Sequence, residues 1–351
     1  MSVDMYKIGV CGHFGEGHNL VNGQTIKTEI LTDALIAALG ANEVKTVDTY
    51  NWKKRLLPAT IQCLLLVKNC SNIVVLPAHN GVKTLIPLFL LINKLFKRKL
   101  HYVVIGGWLP ELLRENLKLK KKICRLDGVY VETVVLKKEL NSIGLDNVFV
   151  LPNFKNLRIL DNKDIVYSDS KPKKVCTFSR VTDKKGIEDA IEVVSNINEK
   201  AGEIVYVLDI YGPIDKSYEA RFEEITASLP CYIKYKGVTD YDNTVDILKN
   251  YFALLFPTRY VTEGIPGTII DAYAAGIPVI ASEWNSAREI VIKNETGYVY
   301  GFSKNNELEE ILTNISKHPE SIYKMKANCL NKAKEYTSES VIGSFLKEIL
   351  K

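Results

Sequence analysis

One stretch in the second half of the chain decides the fold prediction. Residues 256–282 read FPTRYVTEGIPGTIIDAYAAGIPVIAS. The first residue of this stretch ends an apolar run, and a loop rich in glycine and proline follows. The pattern of residues 268–275 predicts a helix. Gly276 ends this helix, and residues 278–281 form the next strand. Strand, loop, helix, turn and strand in this order are one unit of a parallel α/β sheet.

The same alternation of short β-rich runs and helical patterns extends through the whole chain. In the first half, strands are predicted at residues 7–11, 43–47, 73–76, 101–105, 128–131 and 148–151, with the clearest helix at 25–39. In the second half, strands are predicted at 174–178, 204–211, 232–235 and 253–256, and helices at 186–198, 244–250, 307–315, 320–336 and 341–350. Two such runs predict an α/β protein with two parallel sheets.

The length of the chain supports this division into two domains. A single hydrophobic core usually stops growing before 351 residues. The alternating pattern is interrupted by a polar segment, residues 156–172, which we interpret as a linker. The predicted domains are therefore residues 1–155 and residues 173–337, and we expect the last helix, 338–351, to pack back on the first domain.

The loop before the helix of the quoted stretch contains the residue types that a phosphate site needs. Gly264 and Gly267 let a ligand approach the backbone closely, and Pro266 favours the change from loop to helix. Amides at the start of the helix can then point at an anion. Glu263 in the loop and Asp271 one turn into the helix are carboxylates that accept hydrogen bonds from sugar or ribose hydroxyls. Spacing alone fits an ordinary βα loop with a solvated Asp271 equally well.

The whole string is more specific than its spacing. It resembles the E-x7-E signature of the retaining glycosyltransferases of family 4, with Glu263 first and Asp271 in place of the second glutamate. Pro257, the Ala-Ala-Gly turn and the Pro-Val-Ile strand extend the match. The resemblance implies the GT-B fold, in which two Rossmann-like domains with parallel sheets face a central cleft. It also implies a bacterial, polysaccharide-type enzyme that transfers a sugar with retention of the anomeric configuration.

A second segment, residues 177–191, reads TFSRVTDKKGIEDAI and agrees with this resemblance. The family places an arginine and a lysine here on the donor diphosphate, and they correspond to Arg180 and Lys185. Two cations and a helix N-terminus can neutralise the two negative charges of a sugar nucleotide, so neither a metal ion nor another cofactor is expected. The resemblance further assigns the transferred sugar to Glu263 and the ribose to Asp271.

The same resemblance adds further residues to the donor site. They are the loop and helix-start residues Gly264, Ile265, Pro266, Gly267 and Thr268, whose amides are expected at the sugar or the phosphate. Gly212 follows the run Asp209-Ile-Tyr, at a point where the nucleotide would approach. Lys184 beside Lys185 is, taken alone, no more than a solvated charge pair before a helix.

The first strand-to-helix loop of the N-terminal half is the candidate acceptor side. The family has a glycine-containing loop there that faces the cleft, and the corresponding residues are His13, Gly15, Asn22 and Gly23. Many relatives have a histidine at the end of the fourth N-terminal strand, where this chain has Gly-Gly-Trp. His101 begins that strand instead, and we interpret it as a structural residue.

The N-terminal half contains the basic excess of the chain. Residues 1–155 have 21 lysines and arginines against 12 aspartates and glutamates, whereas residues 156–351 have 25 against 29. Clusters at 53–55, 97–99 and 118–125 adjoin apolar stretches, which suggests contact with an anionic membrane surface. Solvated helix faces are the other interpretation. Aromatic residues are not interleaved with these clusters, so nucleic acid is not an expected partner.

Cysteine spacing and hydropathy bear on location. The seven cysteines are scattered singly, which predicts neither a disulfide framework nor a zinc site. The first residues lack the pattern of a signal peptide, and the longest apolar run, 85–96, is shorter than the roughly 20 residues that span a bilayer. We expect a cytoplasmic protein, peripheral at the inner face of the plasma membrane.

The expected function is transfer of a sugar from a UDP-sugar to a glycan or lipid-linked glycan acceptor in cell-surface polysaccharide synthesis. A nicotinamide-dependent oxidoreductase would need G-x-G-x-x-G, and GHFGEG at 12–17 has another spacing. A metal-dependent transferase would need D-x-D, but Asp240-Tyr-Asp242 precedes a helix and fits an N-cap region. A catalytically inactive, GT-B-like subunit that binds a partner remains an alternative.

Overall fold

The computed structural model describes residues 5–15, 17–18, 23–167, 170–240 and 243–351. The chain divides into two compact units, and each contains one six-stranded sheet. Unit 1 consists of the residues up to Asn156 together with Ser338–Lys351, and unit 2 consists of Leu157–Thr337. All strand pairs described in both sheets are parallel, which confirms the predicted fold class.

Unit 1 has strands in the order β2-β1-β3-β4-β5-β6. These are β1 Tyr6–Gly12, β2 Val44–Asp48, β3 Cys70–Val75, β4 Lys99–Val103, β5 Gly128–Val131 and β6 Val148–Val150. Its helices are α1 Gly23–Leu39, α2 Leu56–Asn69, α3 His79–Phe96, α4 Leu109–Glu115, α5 Leu117–Ile123, α6 Val134–Ser142 and the last helix of the chain, Ser338–Ile349. Helices follow strands throughout, as the alternation in the sequence predicts.

Unit 2 has strands in the order β12-β11-β10-β7-β8-β9. These are β7 Lys173–Phe178, β8 Tyr206–Tyr211, β9 Ile233–Gly237, β10 Ala253–Phe256, β11 Val279–Ser282 and β12 Gly297–Tyr300. Its helices are α7 Ile187–Ala201, α8 Glu219–Ala227, α9 Thr244–Leu248, α10 Gly267–Ala274, α11 Ala287–Ile290, α12 Asn305–Lys317 and α13 Glu320–Ala333; the final helix, Ser338–Ile349, is therefore α14. Strand β12 was not predicted.

Helices cover both faces of each sheet, because successive side chains of a buried strand point to opposite sides. In β3, Ile73 and Val75 join a core with α2, α3 and α5, whereas Val74 joins a second core with α1 and α14. Helix α14 reaches that second core through Phe345, whose ring meets Tyr130 edge-on at 4.8 Å. The C-terminal helix is therefore part of unit 1.

The segment interpreted as a linker is partly packed. Leu157 and Ile159 contact the core of unit 2, and the amide of Leu160 donates to the carbonyl of Ala274 at 2.9 Å. These residues therefore belong to unit 2 rather than to a free connection. Five of the seven cysteines are buried, and all seven are free thiols. None of the described helices has both the length and the apolar character that crossing a membrane requires.

Candidate functional site

The strand order of unit 2 locates a crevice. The chain builds the sheet from β7 outward through β8 and β9, and then returns to add β10, β11 and β12 on the other side of β7. Connections therefore leave the neighbouring carboxyl ends of β7 and β10 in opposite directions. Ligands of open α/β sheets bind at such a reversal. The loops that meet there are residues 179–186 and 257–266.

An ion pair joins these two loops. Lys185 Nζ donates to Oε1 of Glu263, and Thr258 Oγ1 donates to the same oxygen at 3.0 Å. The side chains of Lys185 and Glu263 are 18% and 16% exposed, so each keeps only a small part of its surface in solvent. Lys185 Nζ also lies 5.2 Å and 5.1 Å from the ring centres of Phe256 and Tyr260. Because aromatic faces attract cations, this arrangement holds a positive charge at the reversal of the sheet.

Gly186 makes the close approach of the two loops possible. It follows a short 3-10 turn, Asp183–Lys185, and adopts a left-handed conformation with φ 64°. A Cβ atom at this position would lie 1.9 Å from the carbonyl oxygen of Pro257. Only glycine fits both the dihedral angle and the space, so Gly186 sets the position of Lys185 against the loop after β10.

Arg259 joins the loop after β10 to helix α7 through hydrogen bonds. The sequence did not predict it as a site residue. Its guanidinium donates to both carboxylate oxygens of Asp189 at 3.0 and 2.7 Å, and to Asp183 at 2.6 Å. The backbone amide of Arg259 donates to the carbonyl of Lys184 at 2.8 Å. Asp189 raises the pKa of Arg259, so the guanidinium stays charged. This bidentate clamp keeps Lys184 and Lys185 beside the loop that contains Glu263.

Helix α10 begins at Gly267, four residues after Glu263 of the ion pair. Pro266 precedes it with φ −67° and ψ 129°, and its carbonyl accepts from the amide of Ile269 at 3.0 Å. Amides of the first helical turn have no partner within the helix, so those of Gly267 and Thr268 can face an anion. Among the described residues, the buried Thr268 Oγ1 has no hydrogen-bond partner. Gly264 and Ile265, just before Pro266, are buried.

Asp271 lies in the second turn of α10, as the sequence predicts. It is 8% exposed and is engaged by other groups of the protein. Its neighbours Ile270 and Ala272 are fully buried in the core of unit 2. Asp271 is therefore held more deeply than Glu263, and its role toward a ribose stays a prediction.

Arg180 lies on the same loop as Lys185 but faces a different partner. Its Nη1 is 3.6 Å from Oδ2 of Asp215, which follows β8, and the two side chains are 46% and 33% exposed. Hydrogen bonds from Ser217 hold the pKa of Asp215 below its usual value, and Arg180 adds to this effect. An exposed pair at this distance contributes little stability, so the guanidinium can exchange its partner for a ligand.

Gly212 has a structural reason to be glycine. It adopts φ 130°, and a Cβ atom there would lie 1.9 Å from the carbonyl oxygen of Ser179 in the loop after β7. Tyr235 donates from its hydroxyl to the Gly212 carbonyl at 2.9 Å. The close approach seen at Gly212 is thus to the protein's own backbone, and contact with a nucleotide stays a prediction.

In unit 1, the acceptor-side candidates lie after β1. His13 Nδ1 is 2.8 Å from Thr25 Oγ1, and its ring meets Tyr50 edge-on at 5.6 Å. Gly15 has φ 65° and accepts from the amide of His18 at 2.9 Å, while Gly23 is the first residue of α1. Asn22 lies outside the described residues. The strand order of this sheet reverses between β1 and β3, so His13 lies at the end of a strand where such sheets bind ligands.

His101 is structural, in agreement with the sequence interpretation. It is 2% exposed, and its Nδ1 is 3.2 Å from the Tyr130 hydroxyl. Burial lowers the pKa of His101 to about 4. The imidazole is therefore neutral at physiological pH and lies inside the core of unit 1.

Two observations concern metal ions. The described part of the chain has no group of three or more His, Cys, Asp or Glu side chains that could hold one. The D-x-D motif at residues 240–242 lies partly outside the described residues. The carbonyl of Asp240 accepts from the amide of Asn243 at 3.1 Å, just before α9.

Comparisons with known proteins show the family and the fold of the chain. Residues 159–336, about half of the chain, match the family model of the glycosyl transferases group 1. The chain is 24% identical over 178 residues to the amylovoran biosynthesis glycosyltransferase AmsK of Erwinia amylovora. That match spans 50% of this chain and 42% of AmsK, less than half of the relative's length.

Two solved structures share the fold. HepE of Anabaena, in complex with UDP, has a TM-score of 0.76 at 15% identity, over 97% of this chain and 98% of its own. Sucrose-phosphate synthase of Thermosynechococcus elongatus has a TM-score of 0.77 at 16% identity, over 98% of both chains. At these identities the likeness shows the fold alone, the GT-B fold. The segment that matches the family model contains the sheet reversal, the Lys185–Glu263 pair and the start of α10. Because this match covers half of the chain, the chain belongs to the glycosyl transferases group 1 family.

Proposed function

We propose that the protein transfers a sugar from a nucleotide-sugar donor, a UDP-sugar, to a glycan or lipid-linked glycan acceptor in cell-surface polysaccharide synthesis. The observation that carries the proposal is the Lys185–Glu263 pair at the sheet reversal, beside the start of α10. AmsK is named for amylovoran biosynthesis, and HepE has been solved with UDP and with UDP-glucose. The ligands of HepE support a UDP-sugar as the donor, and the biosynthetic name of AmsK supports the proposed process.

The donor diphosphate is assigned to Arg180 and Lys185. Arg180 is half exposed and only loosely paired, and Lys185 is paired with Glu263, which precedes α10 by four residues. A diphosphate carries about two negative charges, which two cations and a helix N-terminus of about half a charge offset. The proposed donor site therefore works without a metal ion.

The sugar end of the donor is assigned to Glu263. Its Oε1 accepts from Lys185 and Thr258, so we assign Oε2 to a hydroxyl of the transferred sugar. Asp271 is assigned to the ribose, and the amides of residues 264–268 to the sugar or phosphate. Transfer proceeds with retention at a single face of the sugar, and the departing phosphate helps to deprotonate the acceptor hydroxyl.

The acceptor is assigned to unit 1. His13 is 2.8 Å from Thr25 and contacts Tyr50, which places a polar ring at the end of β1 with Gly15 and Gly23 nearby in the chain. We propose that the reaction takes place in the cytoplasm, at the inner face of the plasma membrane, where a lipid-linked acceptor would be found.

The first test is a thermal-shift panel of nucleoside diphosphates and their sugar conjugates, with EDTA present. We expect a UDP-dependent rise in Tm because a ligand that binds only the folded state stabilises it. Lys185→Ala should lose this shift, and Glu263→Ala should lose the additional shift that a UDP-sugar gives over UDP. The matched controls are Lys184→Ala and Glu224→Ala, which remove exposed charges of the same unit. No shift with any nucleotide would refute the proposed donor site.

A second measurement separates transfer from binding. Wild-type protein that binds a UDP-sugar should transfer it to glycan acceptors, and the anomeric configuration of the product can be read by NMR. Donor binding without turnover on any glycan or lipid-linked acceptor would favour a partner-binding subunit, and an inverted product would refute the assigned stereochemistry.

A further inference from the structure

Two neighbouring helices of unit 1 present their outer faces side by side. Helices α2 and α3 contact each other, and both bury their inner faces in the same core. Arg98, which follows α3, donates to the carbonyls of Val67 and Lys68 in the last turn of α2, both at 3.3 Å. The C-terminal ends of the two helices therefore lie next to each other.

Both helices expose aliphatic side chains on their outer faces. The exposed aliphatic residues are Leu56 (57%), Leu57 (73%), Ile61 (48%), Leu64 (37%) and Leu65 (43%) of α2, with Leu91 (62%) and Leu95 (77%) of α3. We call these seven residues the α2–α3 face. Single exposed apolar residues are normal on a folded protein, but seven on two packed helices mark an interaction site. An amphipathic helix needs only its inner face to be apolar, so core packing does not explain this outer face.

The charges of the segment that contains this face have one sign. Residues 49–110, which contain α2 and α3, have nine lysines and arginines and no aspartate or glutamate. Lys54 and Arg55 precede α2, and Lys94 and Lys97 mark the end of α3; all four are exposed. Residues 54–55 and 97–99, which belong to two of the three basic clusters found in the sequence, thus flank the α2–α3 face.

We infer that the α2–α3 face docks on the surface of an anionic lipid bilayer. The leucines enter the boundary between headgroups and acyl chains, and the flanking lysines and arginines contact the lipid phosphates. The chemistry favours lipid over a protein partner, because protein interfaces are enriched in aromatic residues and depleted in lysine. The exposed apolar side chains here are all leucine or isoleucine, and most of the surrounding charges are lysine.

The α2–α3 face lies in unit 1, whereas the proposed donor site lies in unit 2. The leucines of the α2–α3 face add an apolar contribution to the attraction between basic residues and anionic lipid. Binding by charge would disappear at high salt, whereas leucines buried in the bilayer hold part of the affinity when charges are screened.

The test is co-sedimentation of the full chain with phosphatidylglycerol/phosphatidylcholine vesicles and with phosphatidylcholine vesicles, at low and high salt. The test variant replaces Leu57, Leu65, Leu91 and Leu95 by glutamine. The control variant carries Ile204→Gln and Phe302→Gln, two residues of unit 2 with 42% and 41% exposure. We expect wild type and control to bind the anionic vesicles, and the partition coefficient of the test variant to fall at least ~10-fold.

Several outcomes would overturn the inference. They are absence of wild-type binding at low salt, equal binding by the test variant, and equal loss in the control. Self-association that the four glutamines abolish, without vesicle binding, would assign the face to a second copy of the chain. An unchanged Tm and an unchanged nucleotide-induced shift in the test variant show that the fold and the donor site are intact, so failure here is distinct from failure of the proposed function.

Discussion

Replacing Lys185 by alanine should weaken the binding of UDP, or of whichever nucleotide gives the largest thermal shift, about 100-fold. Loss of one charge-assisted hydrogen bond costs about 1.5–3 kcal/mol. The change also leaves the carboxylate of Glu263 without its cation, next to the position assigned to the diphosphate. Two like charges about 4 Å apart repel by about 1 kcal/mol even at the dielectric constant of water. Together these effects amount to about 3 kcal/mol, and every 1.4 kcal/mol is about tenfold in Kd.

The repulsive part of this loss can be separated. Lys185→Ala with Glu263→Gln removes both charges, so the double variant should bind about fivefold more tightly than Lys185→Ala alone. Isothermal titration calorimetry at fixed ionic strength with EDTA measures all three proteins. Lys184→Ala is the matched control, because Lys184 Nζ lies 5.3 Å from the centre of the same Tyr260 ring but is exposed. Lys185→Ala binding within threefold of wild type, or a double variant weaker than the single one, would refute the reasoning.

Two further predictions concern stability. Gly186→Ala should lower the free energy of unfolding by at least ~2 kcal/mol, because its Cβ would lie 1.9 Å from the Pro257 carbonyl oxygen. Gly202→Ala has nearly the same φ, 65°, in open space and should cost only about 1 kcal/mol in the same urea titration; equal losses would contradict the steric argument. Because the pKa of His101 is lowered to about 4, this residue contributes to the free energy of unfolding above the ordinary histidine pKa. That contribution is lost as the pH falls from about 6.5 to 4. His101→Gln should flatten that loss by about 1 kcal/mol per pH unit in urea titrations, and an unchanged slope would show that another group titrates.

Strands that are buried on both faces of a sheet could be predicted from the sequence. Strands 128–131 and 253–256 were predicted with the bounds that the structure shows, since a strand buried on both faces is a continuous apolar run. Strand β12 was missed because Tyr298 and Val299 are half-buried and the run is short. Its strand character comes from pairing with β11, which lies far enough away in the chain to leave no local signal.

The packing of the first residues of the predicted linker could not be predicted for a similar reason. Residues 157–160 lie in a stretch that turns polar and loses its period, so they resemble a connection when considered alone. Leu157 and Ile159 nevertheless contact the core of unit 2, and Leu160 pairs with the end of α10. Ala274, whose carbonyl accepts from the amide of Leu160, lies more than 100 residues later in the chain.

The sequence alone determined the fold class and the two-sheet organisation, and it singled out Lys185 and Glu263 as candidates, because apolar runs and a family motif are local properties. Tertiary structure decided how those residues meet. Lys185 and Glu263 are 78 positions apart and pair only because β7 and β10 are neighbours in the sheet. No local pattern indicated the role of Arg259, because its partner Asp189 lies 70 positions earlier in the chain. Pairings of this kind depend on strand order, and strand order is set by the packing of the whole sheet rather than by any segment of it.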